Sequence, residues 1–199
     1  MNRYGVLTKN AVASNGSDVP GGFAMLYKVL TALEDAGRCQ RGYFIESLGG
    51  AQFATAATVD RLRTFADSLD RERPDYRAVV LAAADPANPY GAALPWPVRP
   101  DAETGHRPGR KAGALVVLVD GKLVWFLERG GRSLLTFHAD ADAQRAAAAA
   151  LVDMVRTGQL AGIVVEKVDG TPVLPAAGPT TDALTAAGFA RTPRGLRMR

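Results

Sequence analysis

The clearest periodic pattern near the start of the chain is a stripe of apolar residues at helical spacing. After two glycines, apolar side chains recur at every third or fourth position, at Phe23, Leu26, Leu30 and Leu33. This spacing predicts an amphipathic helix with one face in a core. Gly37 follows where a helix end favours a residue at positive φ, so we expect the helix to stop there.

A short hairpin is predicted directly after this helix. Residues 43–45 and 52–53 carry strand-forming side chains on either side of a glycine turn at 49–50, and residues 58–65 return to helical spacing. This order of elements is that of a winged helix, a module that usually binds nucleic acid. Only one short element, in residues 1–13, precedes the helix, so we expect the chain to be a piece of a longer protein.

The second half of the chain has the pattern of short strands. Residues 78–82 form a continuous apolar run, and residues 114–119 and 123–127 flank the dipeptide Asp120-Gly121, which is a strong hairpin signal. Several antiparallel strands with short turns predict a small β-barrel or curled sheet.

An alanine-rich segment predicts one long helix in this half. Asp140 or Asp142 is expected to cap its start and Gly158 to end it. The sequence therefore predicts an α+β protein of two domains. These are a winged helix over residues 1–70, and a β-barrel-like domain with flanking helices over residues 75–199.

Composition narrows the class of protein. Apolar residues make up 47% and charged residues 22% of the 199 residues, as in a globular protein. The apolar runs are too short for a membrane span and no signal peptide is visible, so we expect no membrane partner. The single cysteine, Cys39, excludes an internal disulfide and fits the cytoplasm. Neighbouring arginines would lower its pKa if it were reactive, but a packed thiol is the favoured interpretation.

Positive charge is concentrated in two places, although the net charge is only +4. Clustered arginines suit phosphate contacts, and surface arginines also serve solubility, so both interpretations stay open. The two clusters are Arg99, Arg107, Arg110 and Lys111 in the middle of the chain, and Arg191, Arg194, Arg197 and Arg199 at its end.

Several common chemistries are absent from the sequence. There is no GxxxxGK[ST] motif, so the chain by itself houses no P-loop ATPase, and there is no GxSxG motif. His106, His138 and Cys39 do not make a usual zinc site, and we expect no metal. Asp140 and Asp142 follow His138 at alternate positions, but a capped helix explains that pattern without a metal.

A few polar and aromatic residues remain as candidates for function. Asp85 leaves a strand into a proline-fixed loop, so its carboxylate is either held for catalysis or used with Asn88 to cap the turn. Gln52 on the returning hairpin strand either reaches a base edge or bonds across the hairpin. Trp96 and Trp125 offer stacking surfaces, although core packing is favoured for Trp125.

Eight stretches spread over nearly the whole chain carry a family resemblance. They are Val19-Pro-Gly-Gly-Phe-Ala, Tyr27-Lys-Val-Leu, Glu34-Asp-Ala-Gly-Arg, Arg41-Gly-Tyr-Phe, Gly50-Ala-Gln-Phe-Ala, Asp85-Pro-Ala-Asn-Pro-Tyr-Gly, Arg110-Lys-Ala-Gly-Ala and Leu127-Glu-Arg-Gly-Gly-Arg. Together they resemble the C-terminal region of the large helicase-related, or Lhr, family of superfamily 2 DNA helicases.

The resemblance implies partners and cofactors. The ATPase motor, with its ATP and Mg²⁺, would lie upstream, and this segment would carry no cofactor of its own. The implied partners are the upstream helicase core, DNA and further copies of the chain. The DNA would be a single strand, a duplex junction or an RNA:DNA hybrid. The implied location is the nucleoid, in the cytoplasm. Lhr extensions are also similar to AlkZ-type DNA glycosylases, but the Gln-x-Gln signature of those enzymes is only partly echoed by Gln52-Phe53-Ala54.

Three functions follow as hypotheses. The first is a DNA-binding and assembly module of an ATP-dependent DNA repair helicase. The second is a DNA glycosylase for uracil or a damaged base, with Asp85 as the catalytic carboxylate, and the third is an oligomerisation domain without enzyme activity. For the first hypothesis the expected nucleic-acid contacts are Lys28, Arg38, Arg41, Gln52, Arg110 and Lys111.

Overall fold

The computed structural model describes residues 5–13, 22–46, 48–69, 75–99, 107–175 and 177–199. Within it the chain divides into two units. The first unit contains residues 1–74 and 89–95, and the second contains residues 75–88 and 96–199. Each unit has a hydrophobic core of its own.

The described part of the first unit consists of three helices and one hairpin. These are α1 (Lys9–Ala13), α2 (Gly22–Asp35), β1 (Gln40–Gly42), β2 (Gln52–Ala54) and α3 (Ala56–Leu69). β1 and β2 pair antiparallel, with Arg41 opposite Phe53. The predicted order of helix, hairpin and helix is confirmed.

α2 is ended by Gly37, as predicted. Gly37 has a φ of 68°. The amides of Gly37 and Arg38 each donate at 2.8 Å to carbonyls of the last turn, those of Glu34 and Leu33. A side chain would strain this left-handed conformation, so the glycine fixes where the chain leaves the helix for β1.

Phe53 lies at the centre of the first unit's core. It is fully buried, and its ring meets that of Tyr27 edge-on with centroids 5.7 Å apart. Its backbone exchanges two hydrogen bonds with Leu7, at 2.8 and 3.0 Å, and Leu30 and Cys39 belong to the same cluster. Packing therefore fixes the hairpin against α2.

The second unit contains a six-stranded sheet, a three-stranded sheet and two helices among its described residues. In chain order the elements are β3 (Ala78–Ala82), β4 (Leu115–Val119), β5 (Lys122–Leu127), β6 (Ser133–Thr136), α4 (Ala141–Arg156), β7 (Ile163–Val165), β8 (Lys167–Val168), β9 (Thr171–Pro172), α5 (Pro179–Ala186), β10 (Ala190–Thr192) and β11 (Gly195–Met198). The larger sheet has the order β3-β4-β5-β6-β8-β9, and the smaller has the order β10-β11-β7.

Most strand pairs are antiparallel, and β6 with β8 is parallel. The predicted hairpin between β4 and β5 is confirmed. Asp120 and Gly121 have φ values of 47° and 78°, which a two-residue hairpin turn requires.

Of the two predicted alternatives, a small barrel or a curled sheet, the described sheets do not close into a barrel, and the curled sheet stays a prediction. In the part of the chain that the structure describes, β3 and β9 are the two ends of the larger sheet and do not pair with each other. β9 has only two residues and ends at Pro172, which has no N–H for a further strand. The predicted α+β class is correct, but with open sheets.

α4 is the predicted alanine-rich helix. The Asp140 carboxylate accepts hydrogen bonds from the amides of Asp142 and Ala143, so Asp140 is the N-cap. Trp125 is fully buried in the core under this helix and donates its indole N–H to Gln144 at 3.2 Å. The predicted cap and the core position of Trp125 are both confirmed.

The described residues contain neither a membrane-spanning helix nor a cluster of metal-ligating side chains. None of the helices in these ranges combines the length and apolarity of a membrane span. No group of three or more His, Cys, Asp or Glu side chains in the same ranges is placed to hold a metal ion. The segment from His138 to Asp142 is accounted for by the helix cap.

Candidate nucleic-acid interface

The outer face of α2 carries a cation among exposed apolar side chains. Leu30 is buried in the core, which turns Lys28 and Val29 outwards. Met25 and Val29 are 57% and 51% exposed. Lys28 is exposed and has no ion-pair or hydrogen-bond partner among the described side chains. This face is therefore open to a partner as far as the described residues show.

Arg38 lies at the base of the hairpin. It follows Gly37 directly, so the fixed end of α2 also fixes the backbone of Arg38. The residue is exposed, and no side chain in the described ranges pairs with it. Its charge is therefore available to a phosphate.

Arg41 on β1 is different, because its guanidinium has partners within the unit. Nε lies 3.4 Å from the Glu34 carboxylate, and Nη1 donates to the Tyr27 hydroxyl at 2.9 Å. The Tyr27 hydrogen bond and then the Glu34 charge raise the pKa of Arg41 above its ordinary value. The hydrogen bond to Tyr27, the residue before Lys28, holds Arg41 against α2. The Glu34 carboxylate already offsets part of the Arg41 charge.

Gln52 is a structural residue of the hairpin. It is 1% exposed, and its Oε1 accepts from the amides of Phe44 and Ile45 at 3.0 and 2.8 Å. Its Nε2 donates to the carbonyls of Ile45 and Gly49 at 2.8 and 3.2 Å. Of the two interpretations of Gln52, the structure shows the bond across the hairpin. These four bonds occupy the buried amide, so Gln52 does not present it to a base edge.

Tyr43 is a candidate that the sequence reasoning missed. It follows β1, and its residue exposure is 83%, which is high for an aromatic side chain. An exposed tyrosine on a hairpin offers a ring face for base stacking. The sequence predicted a strand over residues 43–45, whereas β1 ends at Gly42, so Tyr43 lies just beyond the strand.

Cys39 is a packed thiol, as favoured. It is buried, and its Sγ donates to the Leu30 carbonyl at 3.5 Å. Burial, and then the Glu34 charge, raise the pKa of the thiol. The alternative in which neighbouring arginines lower this pKa is wrong, because the pKa is raised.

The loop after β3 uses Asp85 in a turn. The Asp85 carboxylate accepts from the amide of Ala87 at 2.8 Å, and Asn88, which is fully buried, donates its side-chain amide to the Ala83 carbonyl at 2.8 Å. This is the turn-capping arrangement. As a catalytic carboxylate Asp85 stays a prediction.

Arg110 clamps the same loop. Its guanidinium donates to the carbonyls of Ala84 and Asp85 at 3.0 Å and of Asn88 at 2.8 Å. Arg110 is therefore occupied in holding the loop, whereas its neighbour Lys111 is exposed. Of the two residues, Lys111 is the more exposed.

The last hairpin of the second unit carries the C-terminal arginines. β10 and β11 pair so that Ala190 lies opposite Arg197. Arg191, Arg194 and Arg199 are exposed, and neither these three nor Arg197 has an acidic partner among the described side chains. This hairpin is a second unneutralised basic surface.

The comparisons with known proteins agree with the winged-helix prediction. Residues 1–74 match the family model described as the winged-helix domain of the large helicase-related protein. The first unit therefore belongs to a winged-helix class found in large helicases.

Two curated relatives identify the family. The chain is 66% identical over 204 residues to a Mycolicibacterium smegmatis protein named "Lhr helicase/ probable uracil glycosylase", a match that covers 100% of the chain and 13% of the relative. It is 38% identical over 197 residues to the Escherichia coli "Lhr helicase/uracil glycosylase", with 98% of the chain and 12% of the relative covered. The chain belongs to the Lhr family and spans about one eighth of the length of these relatives.

Proposed function

We propose that this chain is the C-terminal nucleic-acid-binding and assembly module of an ATP-dependent DNA repair helicase of the Lhr type. The family membership and the winged-helix domain support this function. In such a protein ATP and Mg²⁺ would act in a motor upstream of this segment, in the cytoplasm with the DNA. The proposed polyanion is DNA, as a single strand, a duplex junction or an RNA:DNA hybrid.

The observation that carries the proposal is the difference between paired and unpaired cations. Arg41 shares its charge with Glu34, and Arg63 on α3 lies 2.9 Å from Asp60. Lys28 and Arg38 have no such carboxylate among the described residues. A cation without a protein counterion gains most from a phosphate, because binding releases the phosphate's own counterions into solution.

The exposed apolar residues near Lys28 also support assembly of the chain with a protein partner. Met25 and Val29 place two apolar side chains one helical turn apart on the outside of α2. Apolar side chains near an exposed lysine suit a neighbouring protein surface or a second copy of the chain. We propose that α2 is shared between DNA contact and assembly.

Two matched variants test the DNA-binding proposal. Arg38→Ala and Arg63→Ala remove the same side chain and the same charge from exposed positions of one unit, and they differ in whether a carboxylate partner is present. By fluorescence anisotropy with a labelled duplex at low salt, Arg38→Ala should lower affinity by roughly tenfold, as for one lost charge-assisted contact. Arg63→Ala should change it little. Equal effects of the two variants would reject the assignment.

A second candidate is base excision, because both relatives carry uracil glycosylase in their names. Asp85 is the carboxylate proposed for it. The test is cleavage of a uracil-containing strand by the chain and by Asp85→Asn. Loss of cleavage in the variant would support Asp85, and equal cleavage would remove it from the mechanism.

A further inference from the structure

Tyr43 presents an aromatic ring that the fold itself does not use. The residue lies just beyond β1 and is 83% exposed. Its side chain has no hydrogen bond, ion pair or ring contact with any residue that the structure describes. A Cβ added at Gly50 would lie 3.6 Å from the Tyr43 hydroxyl, so the ring extends across the hairpin towards the returning strand. Its faces are therefore open to a ligand as far as the described residues show.

The backbone on both sides of Tyr43 is held in place. Gly42 pairs with Gln52 in the ladder of β1 and β2. The next two amides, of Phe44 and Ile45, donate to Oε1 of the buried Gln52 at 3.0 and 2.8 Å. The side chains of Phe44 and Ile45 also pack against a buried apolar cluster of the first unit. The ring is thus attached to a fixed segment, so a ligand that stacks on it has no loop to order.

Two cations without a carboxylate partner lie in the same unit. They are Lys28 and Arg38, as far as the described side chains show. Arg38 precedes Tyr43 by five residues, and a chain of that length spans at most about 17 Å. That distance corresponds to about five stacked nucleotides at 3.4 Å each. A strand with a phosphate on Arg38 therefore passes within reach of the tyrosine ring.

Stacking on this ring requires a base that has left the duplex. Inside a duplex both faces of each base are covered by its neighbours, whereas an unpaired base has a free ring face. Every base has such a face, so stacking tolerates any sequence. The Gln52 amide beside Tyr43 is occupied within the hairpin and does not read base edges. The hairpin therefore suits an unpaired base of any identity.

We propose that Tyr43 stacks on an unpaired base of the bound strand, so that the first unit recognises single-stranded nucleotides beside a duplex. Lys28 and Arg38 supply the phosphate contacts of the same strand. The inference rests on the proposed function and deepens it, because it names the form of nucleic acid that the hairpin contacts. Gln52 acts as a positioning residue, since it fixes the backbone that carries the ring.

Tailed duplexes with and without bases separate stacking from phosphate binding. Two labelled duplexes carry single-stranded tails of equal length, one with thymines and one with abasic nucleotides, so that their phosphates are identical. By fluorescence anisotropy at low salt, the unmodified chain should bind the thymine tail roughly tenfold more tightly than the abasic tail, as for one stacked base. An adenine tail should also bind more tightly than the abasic tail.

Variants of Tyr43 assign the difference to its ring. Tyr43→Ala and Tyr43→Leu should bind both tails as the unmodified chain binds the abasic one, whereas Tyr43→Phe should keep the tenfold difference. Because Tyr43 is exposed, hydrogen exchange of residues 40–54 should stay unchanged in all three variants.

Phe65 provides a matched exposed aromatic in the same unit. It is 54% exposed on α3, but the Arg61 guanidinium carbon lies 5.8 Å from its ring centroid and covers one face. Phe65→Ala should therefore keep the difference between the tails.

The two possible failures have different signatures. Equal affinity of the unmodified chain for thymine and abasic tails would overturn the inference and leave the proposed function intact, as expected if Tyr43 meets a protein surface instead. A difference that persists in Tyr43→Ala, or one that is lost in Phe65→Ala as well, would also overturn it. Absence of binding to every duplex would contradict the proposed function itself, and the inference with it.

Discussion

Replacing Gln52 by alanine should loosen the hairpin of the winged-helix domain without removing a DNA contact. The substitution deletes the acceptor of the Phe44 and Ile45 amides and the donor to two carbonyls. Leaving a buried donor unsatisfied costs about 1–3 kcal/mol. Phe44 and Ile45 are themselves half-buried, so water reaches part of the gap and the lower end applies. For two donors the expected loss is about 2 kcal/mol.

Hydrogen exchange measures this loss where it occurs. Both tryptophans lie in the second unit, so intrinsic tryptophan fluorescence reports poorly on the hairpin. Exchange of peptides spanning residues 40–54 should be roughly thirtyfold faster in Gln52→Ala, because about 1.4 kcal/mol corresponds to a factor of ten. Peptides from α4 in the second unit should exchange at their original rates.

Gln40 provides a matched control within the same hairpin. It is exposed on β1 and its side chain has no hydrogen bond in the described residues, so Gln40→Ala should leave exchange within a factor of about two. Equal exchange rates in the Gln40 and Gln52 variants would refute the structural role of Gln52. So would a loss of DNA affinity in Gln52→Ala with no change in exchange.

Two further predictions concern the loop clamp and the buried thiol. Arg110→Ala removes three hydrogen-bond donors from the loop after β3, so it should lower the free energy of urea unfolding of the second unit by about 2 kcal/mol. Arg110→Lys should recover part of this loss. An unchanged urea midpoint in Arg110→Ala would contradict the role of Arg110 in holding the loop. Cys39 should react with a thiol reagent far more slowly in the native chain than in denaturant. Burial raises the pKa of the Cys39 thiol, so its contribution to the free energy of unfolding is complete below the unfolded pKa of about 8.5 and declines as pH rises above that value. A free energy of unfolding that rises through this pH range in the unmodified chain but not in Cys39→Ala would contradict the burial argument.

Local signals in the sequence predicted several element boundaries, although the first hairpin strand lies at Gln40–Gly42 and not at the predicted residues 43–45. The end of α2 at Gly37, the Asp120-Gly121 turn and the Asp140 cap depend on residues close together in the chain, and all three were predicted. Closure of a sheet depends on strands far apart in sequence. The sequence left a barrel and a curled sheet open, because nothing local indicated that the sheet would end at a two-residue strand containing Pro172.

In the candidate interface, too, the sequence could not predict side-chain contacts between residues far apart in the chain. The sequence identified cations but not their partners, because the partners of Arg110 lie more than twenty residues earlier in the chain. Gln52 remained ambiguous for a related reason, since its burial comes from the folded hairpin. Exposure of Tyr43 likewise became clear only with the burial pattern of the structure.

The salt dependence of DNA binding tests the central claim most directly. The logarithm of the binding constant falls with the logarithm of salt concentration in proportion to the phosphates neutralised, with about 0.9 per contact on duplex DNA. If Lys28 and Arg38 each meet a phosphate, the Lys28→Ala/Arg38→Ala double variant should have a slope shallower by about 1.8. A slope equal to that of the unmodified chain would contradict the account.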